Sequence, residues 1–279
     1  MYISRLLFTL LFAVTQRCAA AKPCAVSASQ PSNAVCEPFY TTFNFSSYRI
    51  ANSISQTSPY PPSTSFVALS SIGAYQTTDR GLELYISKPD GEITTTNGTN
   101  DKIASGAAVN STFTLLYGKV TFEVIAPAVP GIITAVILIG DQGDEIDVEL
   151  LGGDPAHWQT NMFAPRPSDL LPLWGVFGST EDVPEGKPTI ADMHTYTIDW
   201  NEDRITWGID GNTVRTLKKE NAINNGEIRY PSHPTRIQMG IWDSSTDAGT
   251  SEWGKGPVDW DVAPPYMKAV VKSVTVECN

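Results

Sequence analysis

The sequence has little charge, and what it has leans one way. Charged residues make up 18% of the 279 positions, with 30 Asp and Glu against 19 Lys and Arg, a net charge of -11. Without a basic excess the chain lacks the electrostatic footprint of a nucleic-acid partner or of a protein held on an anionic membrane surface. Helical periodicity is nearly absent: no long run repeats apolar residues at i, i+3, i+4 and i+7. Three histidines (His157, His194, His233) are scattered, and no Cys/His cluster has zinc spacing. Gly152-Gly153 lacks the spacing of a phosphate-binding loop. These absences predict no metal and no cofactor. Disorder is excluded too, because 41% hydrophobic and 10% aromatic residues can build a sizeable core.

The first residues read as a targeting segment. Arg5, the apolar run Leu6 to Val14 and the small residues Ala19-Ala20-Ala21 form the pattern of a secretory signal peptide. The apolar run is short of the roughly 20 residues that span a bilayer, so no membrane span is expected. The division is therefore 1–21 signal peptide and 22–279 one domain, secreted to the extracellular space or cell wall. Three sequons, at Asn44, Asn97 and Asn110, fit a secreted glycoprotein. Cys18 leaves with the signal, and Cys24, Cys36 and Cys278 remain. Cys24 and Cys36 could close a short loop in an oxidising compartment. That pairing leaves Cys278 odd, while pairing of Cys278 with Cys24 or Cys36 stays open.

Strand signals fill the rest. Leu82 to Ile86 alternates before the turn Pro89-Asp-Gly91, and Val120, Phe122 and Val124 share one face of Gly118 to Val124. Tyr196 to Trp200, Arg204 to Ile209 and the turn Asp210-Gly211 read as consecutive hairpins. Val270 to Val276 is a closing strand. Many short strands with Gly and Pro turns predict an all-β sandwich or jelly roll with few short helices. Pro59 to Ser65 reads as a loop and Pro165 to Pro188 as a loop-rich stretch.

One segment carries chemistry. In Glu145-Ile-Asp-Val-Glu149 a strand puts Glu145, Asp147 and Glu149 on one face and Ile146, Val148 and Leu150 on the other. The two Glu Cα atoms stand about 13 Å apart at strand rise. Side chains leaning together close that gap to roughly 5–6 Å, the separation that a retaining glycosidase needs. Like charges this close raise at least one carboxyl pKa, as a general acid requires. A solvated edge strand is the plainer alternative. The apolar strands before the motif and the amides Gln159 and Asn161 after it, on one face of His157 to Phe163, argue against that alternative.

Glu145-Ile-Asp-Val-Glu149 resembles the E-x-D-x-E signature of glycoside hydrolase family 16, and the chain looks like the Crh-type fungal cell-wall transglycosylases within it. Asp144 to Gly153 with Gln159-Thr-Asn161 carries the likeness, as do His194 to Trp200, Pro234 to Trp242, Trp253-Gly-Lys-Gly and Val258-Asp-Trp260. The resemblance implies a concanavalin-like jelly roll of two stacked antiparallel sheets, with the site on a concave face. It implies Glu145 as nucleophile, Glu149 as general acid then base, and Asp147 as the carboxylate that tunes both. Gln238, Trp242 and Thr250 are implied as sugar contacts, beside Gln159 and Asn161. The implied partners are chitin and β-glucan, acted on by a monomer. A plain β-glucan hydrolase is the second reading and a lectin-like jelly roll the third. The sequence departs from the Crh pattern in a longer loop from Ala164 to Asp192, bearing Trp174, and in Asp243 to Gly249, which lacks Pro-Gly-Gly.

Other residues read more plainly. Trp200 and Trp207 belong in the core by alternation. Trp242, at a strand end before a polar loop, suits a ligand, and Trp174 suits a cleft wall. His194 reads as a hydrogen-bonded structural histidine, with no carboxylate partner evident in sequence, and Asp199 and Asp210 as turn residues.

Overall fold

A computed structural model of the chain describes residues 36–44, 50–52, 64–167, 169 and 173–278. The expected signal peptide, Cys18, Cys24 and most of the loop 59–65 lie outside them. Alternation decides the elements, as predicted. In the strand Gly118–Ile125, Val120, Phe122 and Val124 are fully buried while Lys119, Thr121 and Glu123 stay half-buried on the other face. His194–Trp200 repeats the pattern, pairs with Arg204–Ile209, and is followed by Asn212–Lys218. The turn between the last two holds Asp210 and Gly211 at φ 48° and 82°, the left-handed pair that suits the twist of a hairpin.

Two eight-stranded sheets result. The first runs Asn212–Lys218, Arg204–Ile209, His194–Trp200, Gly118–Ile125, Tyr266–Glu277, Gly81–Ser87, Tyr75–Thr78, with Phe39–Thr42 also on Tyr266–Glu277. The second runs Ser179–Asp182, His157–Phe163, Glu145–Leu151, Ile132–Gly140, Thr235–Asp243, Ala107–Ser111, Phe66–Ala68, Ala51–Asn52. All pairings are antiparallel except the last. The inner faces of both sheets meet in one core that includes Phe66, Leu84, Phe122, Trp158, Trp200, Trp207 and Trp260. This is the expected all-β sandwich; its one described α-helix is the short Ala248–Trp253.

The cysteines pair differently from the short-loop option. Cys36 is bonded to Cys278, 242 residues away. Phe39–Thr42 lies along the last strand with Phe39 opposite Val276, which brings the two sulfurs together. Cys278 is therefore not odd, and Cys36 is not available to Cys24.

Two polar residues do more than the turn reading gave them. His194, completely buried, faces Asp210 through Nδ1 at 2.9 Å and the Thr189 carbonyl through Nε2 at 3.0 Å. Asp210 also accepts from the Thr195 backbone N–H at 2.9 Å. The carboxylate partner missing from the sequence reading is thus supplied by the hairpin, and the histidine is structural. Asp199 stands within a strand, 3.3 Å from Arg204. The sequons also differ: Asn44 and Asn97 are exposed, whereas Asn110 sits half-buried inside Ala107–Ser111.

Candidate active site

The strand Glu145–Leu151 lies inside the second sheet, between Ile132–Gly140 and His157–Phe163. Ile146, Val148 and Leu150 are fully buried in the core, so Glu145, Asp147 and Glu149 project from the outer face. The strand is fixed at its start and from behind. The hairpin before it turns at Gly143, whose φ of +86° suits glycine. Asp144 accepts from the backbone N–H groups of Ser232 (2.7 Å) and His233 (2.9 Å) and faces the His233 ring at 2.8 Å. Across the core, the Trp207 indole N–H donates to the Asp147 carbonyl at 3.0 Å. Paired on both edges and tied from the opposite sheet, the strand is a rigid mount for its acids.

Register arranges the outer face in rows. Asn161, Asp147, Ile137, Gln238 and Asn110 lie opposite one another across five strands. The next row holds Gln159, Glu149, Ala135, Gly240 and Ala108. Beyond it stand Leu151, Ile133 and Trp242. The small residues Ala135 and Gly240 leave a trough, with Trp242 along one side and Gln238 along the other; it closes toward Ala108, which is fully buried. Residues on an open sheet face are exposed, yet Glu145, Asp147 and Gln238 are 8%, 2% and 8% exposed. Glu145 and Asp147 therefore sit recessed, and Glu149 half-buried beside them, rather than on a solvated edge strand.

Burial dominates their electrostatics. It pushes Glu145 up to about 8, with the nearby Glu149 charge adding to the rise and a hydrogen bond with Asp147 opposing it. Burial, followed by the charge of Glu145, raises Asp147 well above the usual carboxylate range. Glu149 is raised by burial and then by Asp147. Three carboxylates cannot all ionise here at neutral pH. The contact that favours ionisation is the bond that Asp147, holding a proton, donates to Glu145. That bond favours the ionised form of Glu145, while Asp147 and Glu149 are raised well above the carboxylate range and keep their protons: Glu145 suits a nucleophile once ionised, beside an acid.

Trp242 and Trp253 stack at 5.9 Å between centroids and 15° between planes. The Trp253 indole N–H donates to Gln159 Oε1 at 2.9 Å. Thr250, in the same short helix, is buried, and its hydroxyl donates to Asp247 Oδ2 at 2.7 Å. Trp174 is 45% exposed. It opens the turn leading to Gly178, where an added Cβ would lie 3.8 Å from Asn161 Oδ1. Gln159, Asn161, Gln238 and Trp242 are thus brought to the face that carries the acids, whereas the Thr250 hydroxyl is engaged within its own helix cap. Trp253 was missed as a site residue. Its membership of a family-like block was legible, but a contact 94 residues away was not. Among the described residues no group of three or more His, Cys, Asp or Glu is placed to hold a metal ion.

Comparison with known proteins shows the family and the fold. The family model for glycosyl hydrolases family 16 matches residues 63–262. Crh-like protein 2 of Aspergillus fumigatus is 36% identical over 189 residues, covering 64% of this chain and 41% of that protein. Congo red hypersensitive protein 2 of Saccharomyces cerevisiae is 34% identical over 186 residues, covering 63% and 38%. The chain spans about two fifths of the length of these curated relatives. Among solved structures, a Crh5 transglycosylase in complex with NAG superposes with a TM-score of 0.63 at 27% identity, covering 88% of each chain. A Bacillus licheniformis beta-glucanase shares the fold, with a TM-score of 0.62 at 20% identity over 87% of this chain and 98% of that one.

Proposed function

The chain belongs to the glycosyl hydrolases of family 16, and from that membership we propose that it is a retaining glycan-transferring enzyme of the fungal cell wall. The observation that carries the reading is the acidic trio: three carboxyls on one strand face, all raised by burial, with a hydrogen bond from Asp147 favouring the ionised form of Glu145. Glu145 attacks the anomeric carbon and forms a glycosyl ester. Glu149 gives its proton to the departing glycosidic oxygen. A sugar hydroxyl then attacks the same carbon, Glu149 takes that hydroxyl's proton, and the bond to Glu145 breaks. Asp147 lends its hydrogen bond to Glu145 while that side chain is ionised.

Similarity to Crh-like proteins and to a Crh5 transglycosylase bound to NAG favours a chitin-type donor and a glucan or chitin acceptor. Gln159, Asn161, Gln238 and Trp242 are the proposed sugar contacts, with Thr250 acting through the helix below them. Residues 1–21 are the proposed signal peptide and 22–279 the catalytic domain, working outside the cell. No described helix is long and apolar enough to cross a membrane. The test is product analysis by mass spectrometry. The protein is incubated with chitin oligosaccharides, with and without a fluorescent glucan oligosaccharide, beside a Glu145→Gln control. Labelled hybrids absent from the control support the reading. Shortened oligomers alone would make it a hydrolase, and no product from chitin or laminarin would leave a binding protein.

A further inference from the structure

We infer that Trp253 is a positioning residue that sets the orientation of the Gln159 amide, making Gln159 a hydrogen-bond donor toward the glycan beside Glu149. The inference rests on the reading above, that a glycan lies on this face. An indole N–H can only donate. The Gln159 atom 2.9 Å from Trp253 Nε1 is therefore the amide oxygen. With its oxygen held toward Trp253, Gln159 turns its NH2 to the other side, and it stands directly opposite Glu149 in the strand register, half-buried on the outer face. A glutamine that could turn over would offer donor or acceptor equally; here one end is committed.

Trp253 is itself held on three sides. Its helix is capped by Asp247, whose Oδ1 accepts from the backbone N–H groups of Gly249 (3.1 Å) and Thr250 (3.0 Å). After it, the Gly254 carbonyl accepts from the Gly131 N–H at 3.0 Å, joining the helix end to the start of the Ile132–Gly140 strand. An added Cβ at Gly254 would fall 2.2 Å from Ser244 Oγ, which shows how closely the two segments pack. The ring stacks on Trp242. One side chain thereby orients an amide beside the proposed acid and braces the aromatic wall of the trough. A donor NH2 suits a sugar hydroxyl or carbonyl oxygen, both of which accept.

The experiment uses three variants in the full chain. Trp253→Phe keeps a ring against Trp242 and deletes the N–H. Gln159→Leu deletes the amide. Gln159→Glu keeps an oxygen for the indole but removes the NH2. In NMR hydrogen exchange, the Trp253 indole proton is expected to be protected in the wild type and in Gln159→Glu, and unprotected in Gln159→Leu. In transfer assays with chitin oligosaccharides, each single variant is expected to raise KM about tenfold with kcat within about twofold, a loss of about 1.4 kcal/mol. Trp253→Phe added to Gln159→Leu is expected to cost nothing more, because both remove the same oriented donor. Additive losses, or Gln159→Glu binding as well as the wild type, would overturn the inference. A wild type that neither binds nor transfers any β-glycan would instead overturn the underlying reading, whatever the indole exchange shows.

Discussion

Replacing Glu145 by Gln should make the protein more stable, and increasingly so as pH rises. Glu145 is 8% exposed, and burial lifts it from 4.5 to about 8. Between those values the folded state holds a proton that the unfolded chain has released. Stability therefore falls as pH climbs through the window. At pH 7 the loss spans 2.5 units from 4.5, about 3 kcal/mol at about 1.36 kcal/mol per unit. Below pH 4.5 it vanishes. A glutamine has no such proton to lose. For a domain of this size about 3 kcal/mol corresponds to a rise in Tm of roughly 6–12 °C. Differential scanning calorimetry of wild type and Glu145→Gln from pH 4 to pH 8 measures it, and the same protein should be inactive in transfer. A gap in Tm that stays constant across that range, or a variant less stable than the wild type at pH 7.5, would refute the argument that desolvation governs this carboxyl.

Three further outcomes are expected. Cys278→Ser opens a bond closing 242 residues and should cost up to about 5 kcal/mol on the chain-entropy estimate, read as a lower urea midpoint. Trp207→Phe removes the N–H that serves the Asp147 carbonyl from the opposite sheet. It should cost about 0.5–1.5 kcal/mol for the lost hydrogen bond and lower kcat, seen by comparing denaturant melts with kinetics. Gly240→Leu fills the trough between Trp242 and Gln238, and an added Cβ already meets the Ala107 carbonyl at 3.2 Å. It should raise KM for oligosaccharides at least tenfold while the far-UV spectrum stays that of a β-sandwich; unchanged KM would show that the glycan does not lie there.

Local alternation was enough to read the fold class and the acidic trio. Val120, Phe122 and Val124 had to face one way because a strand repeats every two residues, and the same rule put Glu145, Asp147 and Glu149 together. Neither result depends on what lies across the sheet. The alternation in Gln159 and Asn161 likewise gave the right face for both amides. The cysteine pairing could not be read this way. Cys36 meets Cys278 only because the first described strand lies along the last, a choice made by sheet topology over 242 residues. His194 finds its carboxylate in Asp210 for the same kind of reason, a hairpin folding back.

Tertiary structure alone decided how the acids behave. Spacing put three carboxyls on a face, but only the recess of that face removes the water that would have kept them ionised. Trp242 could be read as a strand-end aromatic, whereas its stacking partner and the amide that partner orients belong to segments far apart in the chain. Chemistry-bearing residues were thus written locally, within five residues of one strand, because side-chain direction is a property of the backbone repeat. Their proton occupancy, and the contacts that aim their neighbours, come from packing, because desolvation and hydrogen-bond geometry depend on what the rest of the chain brings near.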